Sequence, residues 1–195
     1  MPRVKSIDSP TTAPYTSAGA KAGTGLSSVW VGNHVFGTEL LGLEVHETGR
    51  LGSDLFGTIK FRIAGQEYGD EEQSADLRAS VRWAKVFLAS AGRRSRPDLD
   101  EASTDDVFHE LYGKYVGRQK TRPGPWTRDP FVLDDIGDAS IRDIAGVVAF
   151  RRSDNGDRVV VKSLTTLKLD QATLPEGELD ATIRSLCDWV DAQKP

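Results

Sequence analysis

The chain has a single cysteine, Cys187, among 195 residues. That excludes an intramolecular disulfide framework and any metal site built from several thiolates. Cys187 sits among apolar residues at helical spacing, so it reads as a buried packing residue rather than an exposed nucleophile. Histidine is nearly as scarce, with only His34, His46 and His109. None stands in an H-x-x-x-H or H-E-x-x-H pair, which leaves zinc poorly supported. No Gly-x-Ser-x-Gly elbow marks a serine nucleophile. Gly19-Ala-Lys-Ala-Gly23-Thr-Gly25 has no preceding strand and no Gly-Lys-Ser/Thr after it, so a phosphate loop is not expected. The sequence therefore offers no catalytic, metal or cofactor motif. No apolar run reaches about 18 residues, so no membrane span is expected. The N-terminus lacks the apolar core of a signal peptide, and a reducing cytoplasm is the expected setting. A strong charge of either sign is missing too. The net charge of −4 is not that of a nucleic-acid binder, which is usually basic, and it suits a basic protein partner.

What is present is structure. Residues 1–27 are rich in Ser, Thr, Ala, Gly and Pro and show no apolar periodicity, which predicts a flexible tail with at most a short strand near Val4–Ile7. Residues 28–195 are expected to form one α+β domain, long enough to bury a core. Val29–Val31 reads as a strand, Gly32-Asn33 as a turn, and Val35–His46 as a second strand followed by a polar loop to Asp54. From Phe56, apolar Ile59, Phe61 and Ile63 alternate with Lys60 and Arg62, the pattern of a strand with one charged face. Ala64-Gly65 turns the chain into a short return strand, Gln66–Tyr68. A helix then starts at Ser74, with Leu77, Val81, Ala84 and Leu88 on one stripe. Ser103-x-x-Asp106 is a weak capping box for a second helix that carries Val107, Phe108, Leu111, Tyr112 and Tyr115. Phe131–Leu133 and Ile141–Arg152 read as strands, Asp154-Asn155-Gly156-Asp157 as a hairpin turn, and Val159–Val161 as the return strand. Leu164–Leu174 is partly extended. A last helix places Leu179, Ile183, Leu186, Cys187 and Val190 inward. The order β-β-β-β-α-α-β-β-β-α predicts an α+β fold: an antiparallel, meander-like sheet with about three helices packed on one face.

Charge clusters are the remaining candidates. The acidic ones are Asp70-Glu71-Glu72; Asp98, Asp100 and Glu101; Asp105-Asp106; Asp134-Asp135 with Asp138; and Asp154 with Asp157. Paired carboxylates can carry acid–base chemistry or hold a divalent ion. Most of these lie in predicted turns or helix starts, where Asp is favoured for capping, so each is expected to be a solvated turn. The Asp154–Asp157 turn lacks the closing Glu of an EF-hand. Gly117–Asp129 is a basic, Pro/Gly-broken loop with Arg118, Lys120, Arg122 and Arg128 around Trp126. It is expected to be a surface loop with Trp126 against the core; a stacking platform for single-stranded nucleic acid is the alternative.

The residues resemble one known family. Val31-Gly32-Asn33 before a strand, then Phe56-Gly57-x-Ile59-x-Phe61-x-Ile63-x-Gly65-x-x-x-Gly69-Asp70 and a helix, is similar to the N-terminal half of the immunity protein 42 family. The tip at Asp154–Asp157, Leu174-Pro175-x-Gly177-x-Leu179 and a terminal helix with Trp189 resemble its second half. The resemblance spans roughly Val29 to Gln193, and the long N-terminal tail and the basic loop depart from it. The proteins of that family are small antidotes encoded beside bacterial polymorphic toxins. The resemblance implies a non-enzymatic protein that binds a cognate, basic toxin domain and occludes its active site, with no membrane and no nucleic acid as partner. It transfers no catalytic residue. On that reading Asp70, Glu71, Glu72, Asp98, Asp100, Glu101, Asp105 and Asp106 are the expected contact residues. Arg118, Arg122, Trp126 and Arg128 come second, because aromatic and Arg side chains dominate interface energetics. The alternatives from other classes are a small hydrolase that reverses a toxin's modification, which would need a pocket of converging polar groups, and a nucleic-acid binder using the Trp126 loop.

Overall fold

A computed structural model describes residues 32–121, 129–137 and 139–193, with side chains except at 118–121 and 139. The expected tail, the Val29–Val31 strand and most of the basic loop lie outside those residues. Among them the fold is α+β, and both sheets are antiparallel; a single parallel bridge, Ser95 to Arg151, lies outside them. The strands divide between two sheets. The first is a meander of β1 (Gly32–Gly37), β2 (Leu41–Leu51), β3 (Asp54–Ile63) and β4 (Gln66–Tyr68), with β5 (Ala75–Asp76) also on β3. The second is β6 (Ala145–Arg151), β7 (Asp157–Ser163) and β8 (Leu169–Leu174), in that order.

Several boundaries differ from the sequence reading, each for a local reason. Gly32-Asn33 is not a turn but the start of β1, opposite Glu47 and His46. The turn lies at Gly37–Leu40 and splits the expected Val35–His46 strand in two. Gly37 takes φ +97°, and a Cβ there would lie 2.2 Å from the Leu41 carbonyl oxygen, so only glycine fits. The expected polar loop after His46 is largely strand: β2 runs to Leu51, with a bulge between Glu47 and Gly49. Phe131–Leu133 makes only a bridge, Val132 to Val148. The expected strand from Ile141 instead begins at Ala145, after the short helix α4 (Ala139–Arg142).

Alternation on β3 holds as read. Ile59, Phe61 and Ile63 are buried, while Arg62 on the other face pairs with Glu44 and Glu67 at 3.1 and 3.2 Å. The first long helix, α1 (Leu77–Ala89), starts three residues later than Ser74. Ala75 and Asp76 first pair with Gly57 and Phe56, on the stretch of β3 that β4 leaves open. Asp76 then caps the helix by accepting the Arg78 N–H at 2.9 Å. Leu77, Val81 and Ala84 are buried as expected, with Phe87 rather than Leu88 completing the stripe.

The capping box at Ser103 is present: its Oγ accepts the Asp106 N–H at 3.1 Å. The helical run it starts has three parts: α2 (Thr104–Phe108), a π turn (His109–Gly113) and α3 (Lys114–Thr121). The last helix, α5 (Glu178–Ala192), buries all five residues of the expected stripe. Cys187 is among them, and burial pushes its thiol up to about 11.

Two cores result. The larger lies between the first sheet, α1, α5 and one face of the second sheet; the smaller lies between that sheet's other face and the α2–π–α3 run. Val147, Ala149, Val159 and Val161 face the first core; Val148, Phe150 and Val160 face the second. Among the described residues no helix is long and apolar enough to cross a membrane.

The turn joining β3 to β4 supplies a test of local strain. Ala64 and Gly65 both take positive φ, 51° and 77°, which suits Gly or Asn at the first position better than Ala. Ala64→Asn is expected to stabilise the fold by about 0.5–1 kcal/mol. A raised urea midpoint with an unchanged slope would show it, and an unchanged midpoint would refute it.

Candidate partner-binding surface

The turn Asp70-Glu71-Glu72 is only partly available to a partner. Asp70 accepts the Glu72 N–H at 2.8 Å, and its own N–H donates to the Ser140 carbonyl at 2.9 Å. Glu71 is paired with Lys60, a lysine only 8% exposed that also lies 3.7 Å from Glu67. The Lys60 hydrogen bond holds the Glu71 carboxyl below the usual range. In return, the bond to Glu71 raises Lys60 against the opposing effect of burial. The Glu72 carboxylate is exposed and has no hydrogen-bond or ion-pair partner among the described residues.

The second acidic region divides the same way. Asp98 is clasped by the Arg96 guanidinium at 2.6 Å, and that hydrogen bond keeps its carboxyl low. Asp100 accepts the N–H of Ser153 at 3.1 Å and its hydroxyl, which ties the 97–102 segment to the β6–β7 turn. The same segment is held from below by Arg158, which donates to the Ala102 carbonyl at 2.9 Å. Asp106 completes the Ser103 cap, and Asp105 lies 3.5 Å from Lys162. Glu101 is exposed, again with no such partner among the described residues. Arg96, Asp98, Asp106, His109, Glu110 and Lys114 line an open groove of about 550 Å³. Its charges largely satisfy one another: Arg96 and Lys114 both bind Glu110.

Residues next to these two regions meet one strand from opposite faces. Consecutive residues of β8 point to opposite faces. Asp170 accepts a hydrogen bond from the Tyr68 hydroxyl, two residues before the Asp70 turn. Gln171 meets Thr104, at the start of α2, at 2.9 Å. β8 is an edge of its sheet, so it forms a rim reached from one face by the strand before the Asp70 turn and from the other by the start of α2. Of the basic loop, Arg118 belongs to α3, and Arg122, Trp126 and Arg128 lie outside the described residues.

Two buried sets of charges escaped the sequence reading. Asp134 and Asp135 are not in a solvated turn: they are 0% and 8% exposed. Tyr112, carried by the π turn, donates its hydroxyl to Asp134 Oδ2 at 2.9 Å, and the Tyr115 hydroxyl lies 3.4 Å from both oxygens of Asp135. Arg142 of α4 reaches Asp135 at 3.4 Å. Burial, then the neighbouring Asp135, pushes the Asp134 carboxyl up to about 7. The clue was present in the flanks, since apolar Val132-Leu133 and Ile136 bracket the pair. Asp157 is likewise fully buried rather than solvated. Arg151 binds it at 3.3 Å, Arg151 also reaches Asp180 at 3.6 Å, and fully buried Arg94 binds Asp180 too. Burial raises Asp157 although Arg151 pulls it down.

Fold and surface together define a two-sheet α+β domain whose polar features are a charged rim and internal locks. The family of immunity protein 42 matches residues 42–189. The chain belongs to that family. No curated protein and no solved structure matches it.

The Asp134 pair predicts a pH dependence of stability. The folded state holds its proton up to about pH 7, whereas an unfolded Asp releases it near pH ~3.9. Stability from this group is full below the unfolded value and is lost as pH rises through about 7. Asp134→Asn keeps the acceptor for Tyr112 and removes the titration. Its urea midpoint is expected to fall less than that of the wild type between pH 5 and 8, as roughly one proton's linkage requires. Parallel pH profiles would refute the assignment.

Proposed function

We propose that this chain neutralises a cognate bacterial toxin by binding it directly and occluding its active site, in the cytoplasm of the producing cell and its kin. The observation that carries this reading is membership of the immunity protein 42 family over residues 42–189. The surface supports it. An edge strand flanked on both sides by acidic residues suits a basic partner, since charge complementarity steers association and fixes register. Residues 28–195 act as one domain in this reading, and residues 1–27 as a tail.

The contact residues sort by what already holds them. Asp70, Asp98, Asp100 and Asp106 are engaged within the fold. Their main contribution is to set the shape of the rim. Glu72 and Glu101 carry carboxylates with no internal partner among the described residues; Glu71 is exposed and held by Lys60, and Asp105 is exposed with Lys162 at 3.5 Å and His109 at 4.0 Å. These four present the negative potential. Arg118, Arg122, Trp126 and Arg128 form the second contact region if the toxin surface facing them is acidic.

Co-production with the toxin domain encoded by the adjacent gene should rescue growth; failure to rescue would reject the function. Glu72→Lys with Glu101→Lys is expected to slow association about tenfold at low salt, with the difference shrinking as salt screens it. The melting temperature should not move, because neither side chain is engaged in the fold. Association kinetics unchanged at low salt would reject the acidic rim as the steering surface.

A further inference from the structure

The β7–β8 hairpin ends in Leu164-Thr165-Thr166-Leu167, and two features of this tip work against the free protein. Leu164 and Leu167 are 40% and 67% exposed, so their apolar surface stays hydrated. Leu167 also takes φ 60°, a left-handed conformation in which the Cβ of a leucine crowds the following carbonyl. The loop is nevertheless well tied. The Leu164 N–H donates to the Ile144 carbonyl at 2.7 Å and the Ser163 N–H to the Lys168 carbonyl at 2.9 Å. The Thr166 N–H donates to Ser163 Oγ at 3.1 Å, and the Ser163 and Thr165 hydroxyls lie 3.0 Å apart. A strained residue held in place by its surroundings is characteristic of functional positions. A rigid apolar projection binds with little ordering cost, which is what an interface anchor requires.

The setting states the partner's chemistry. Lys168, next to the tip, is paired with Asp170 at 3.0 Å, and Asp170 also holds Tyr68, two residues from the Asp70 turn. On the other face Lys162 is paired with Asp105 at 3.5 Å. The lysines nearest the tip are thus matched internally, while Glu72 is left without a partner among the described residues. The tip stands at the end of the acidic rim.

We propose that the Leu164–Leu167 tip is the apolar anchor of the toxin interface, entering a recess on the toxin bordered by lysine or arginine side chains. The inference rests on the toxin-neutralising reading and adds to it the site of tightest contact. Beside a desolvated apolar anchor the acidic residues of the rim select the basic border; the leucines set the lifetime of the complex.

The test measures binding of the full chain to the toxin domain encoded by the adjacent gene. Leu164→Ser with Leu167→Asn is expected to weaken binding by about tenfold or more, chiefly through faster dissociation. Leu167→Asn alone relieves the left-handed strain, so it is expected to raise the melting temperature by about 2–4 °C while still weakening binding. Opposite movement of stability and affinity separates an anchor from a structural residue. Affinity of the double variant within about twofold of wild type would overturn the anchor and leave toxin neutralisation standing. Failure of the wild-type chain to bind or to rescue would overturn both.

Discussion

The pairing of β6 with β7 is the constraint on which the remaining structure depends, because both faces of this pair are covered. Val147 and Ala149 point one way and Val148 and Phe150 the other, and β7 repeats the division with Val159, Val161 and Val160. A sheet with two apolar faces needs two covering layers. The first is the meander sheet with α1 and α5. The second is the α2–π–α3 run, and its fit is close: a Cβ on Gly146 would fall 2.7 Å from the Tyr112 ring and 2.8 Å from that of Phe108. The ring of Tyr112 stacks on that of Phe108 at 4.8 Å between centroids. Its hydroxyl reaches past the apolar layer to Asp134. The segment before Asp134 is laid along β6 by two backbone bonds, Ala149 N–H to the Phe131 carbonyl at 2.8 Å and Leu133 N–H to the Val147 carbonyl at 2.9 Å. The buried carboxylates are a consequence of that route, and the two tyrosines and Arg142 are what make it tolerable.

The ends of the same strand pair explain the other buried charges. β6 finishes at Arg151 and β7 starts at Asp157, which face each other in register. Asp180, in the first turn of α5, and Arg94, from the 3-10 turn after α1, close the set, and the Arg94 guanidinium lies 4.1 Å over the ring of Phe87. Desolvating such groups offsets much of their mutual attraction, so the set adds little net stability. Its effect is geometric, because it joins α1, α5 and the second sheet at one point. Misplacing any of the three would leave a charge buried without a counter-charge.

The sequence conveyed those parts of the fold that depend on local pattern. Alternation over Ile59–Ile63, the stripe Leu179–Val190, the Ser103 cap and the Ala64-Gly65 turn are properties of a few neighbouring residues, and all appear where their spacing put them. The misread elements are those decided elsewhere. Ser74 looks like a helix start, but an open stretch of β3 takes Ala75 and Asp76 into a strand first. Ile141–Arg152 looks like one strand, but its first residues form α4 and Ser140 meets the Asp70 backbone. Gly37 turns the chain within a run that looks uniformly extended. Asp134 and Asp135 resemble turn residues because they occur in a turn, and Asp157 because it directly follows one; only long-range packing shows that all three are inside. The acidic clusters were visible as clusters, yet their arrangement on the two sides of β8 depends on contacts between Tyr68 and Asp170 and between Thr104 and Gln171, which are far apart in sequence.

That arrangement divides the acidic residues into two populations with different physical roles. A carboxylate that already accepts an N–H or faces a guanidinium, as Asp70, Asp98 and Asp100 do, must give up that bond before it can form another. An exchange of one charge-assisted bond for another leaves little surplus. Such residues define the shape a partner meets. Carboxylates with no internal partner lose only water on binding, and at the protein surface their field reaches roughly a Debye length, about 8 Å, into solution. They govern the encounter more than the lifetime of a complex. Long residence needs desolvated contact, and among the described residues apolar exposure and backbone strain coincide at Leu167. A chain that spends most of its acidic side chains on its own turns and caps can still present a selective surface, because the few left over stand on a rim that the others hold rigid.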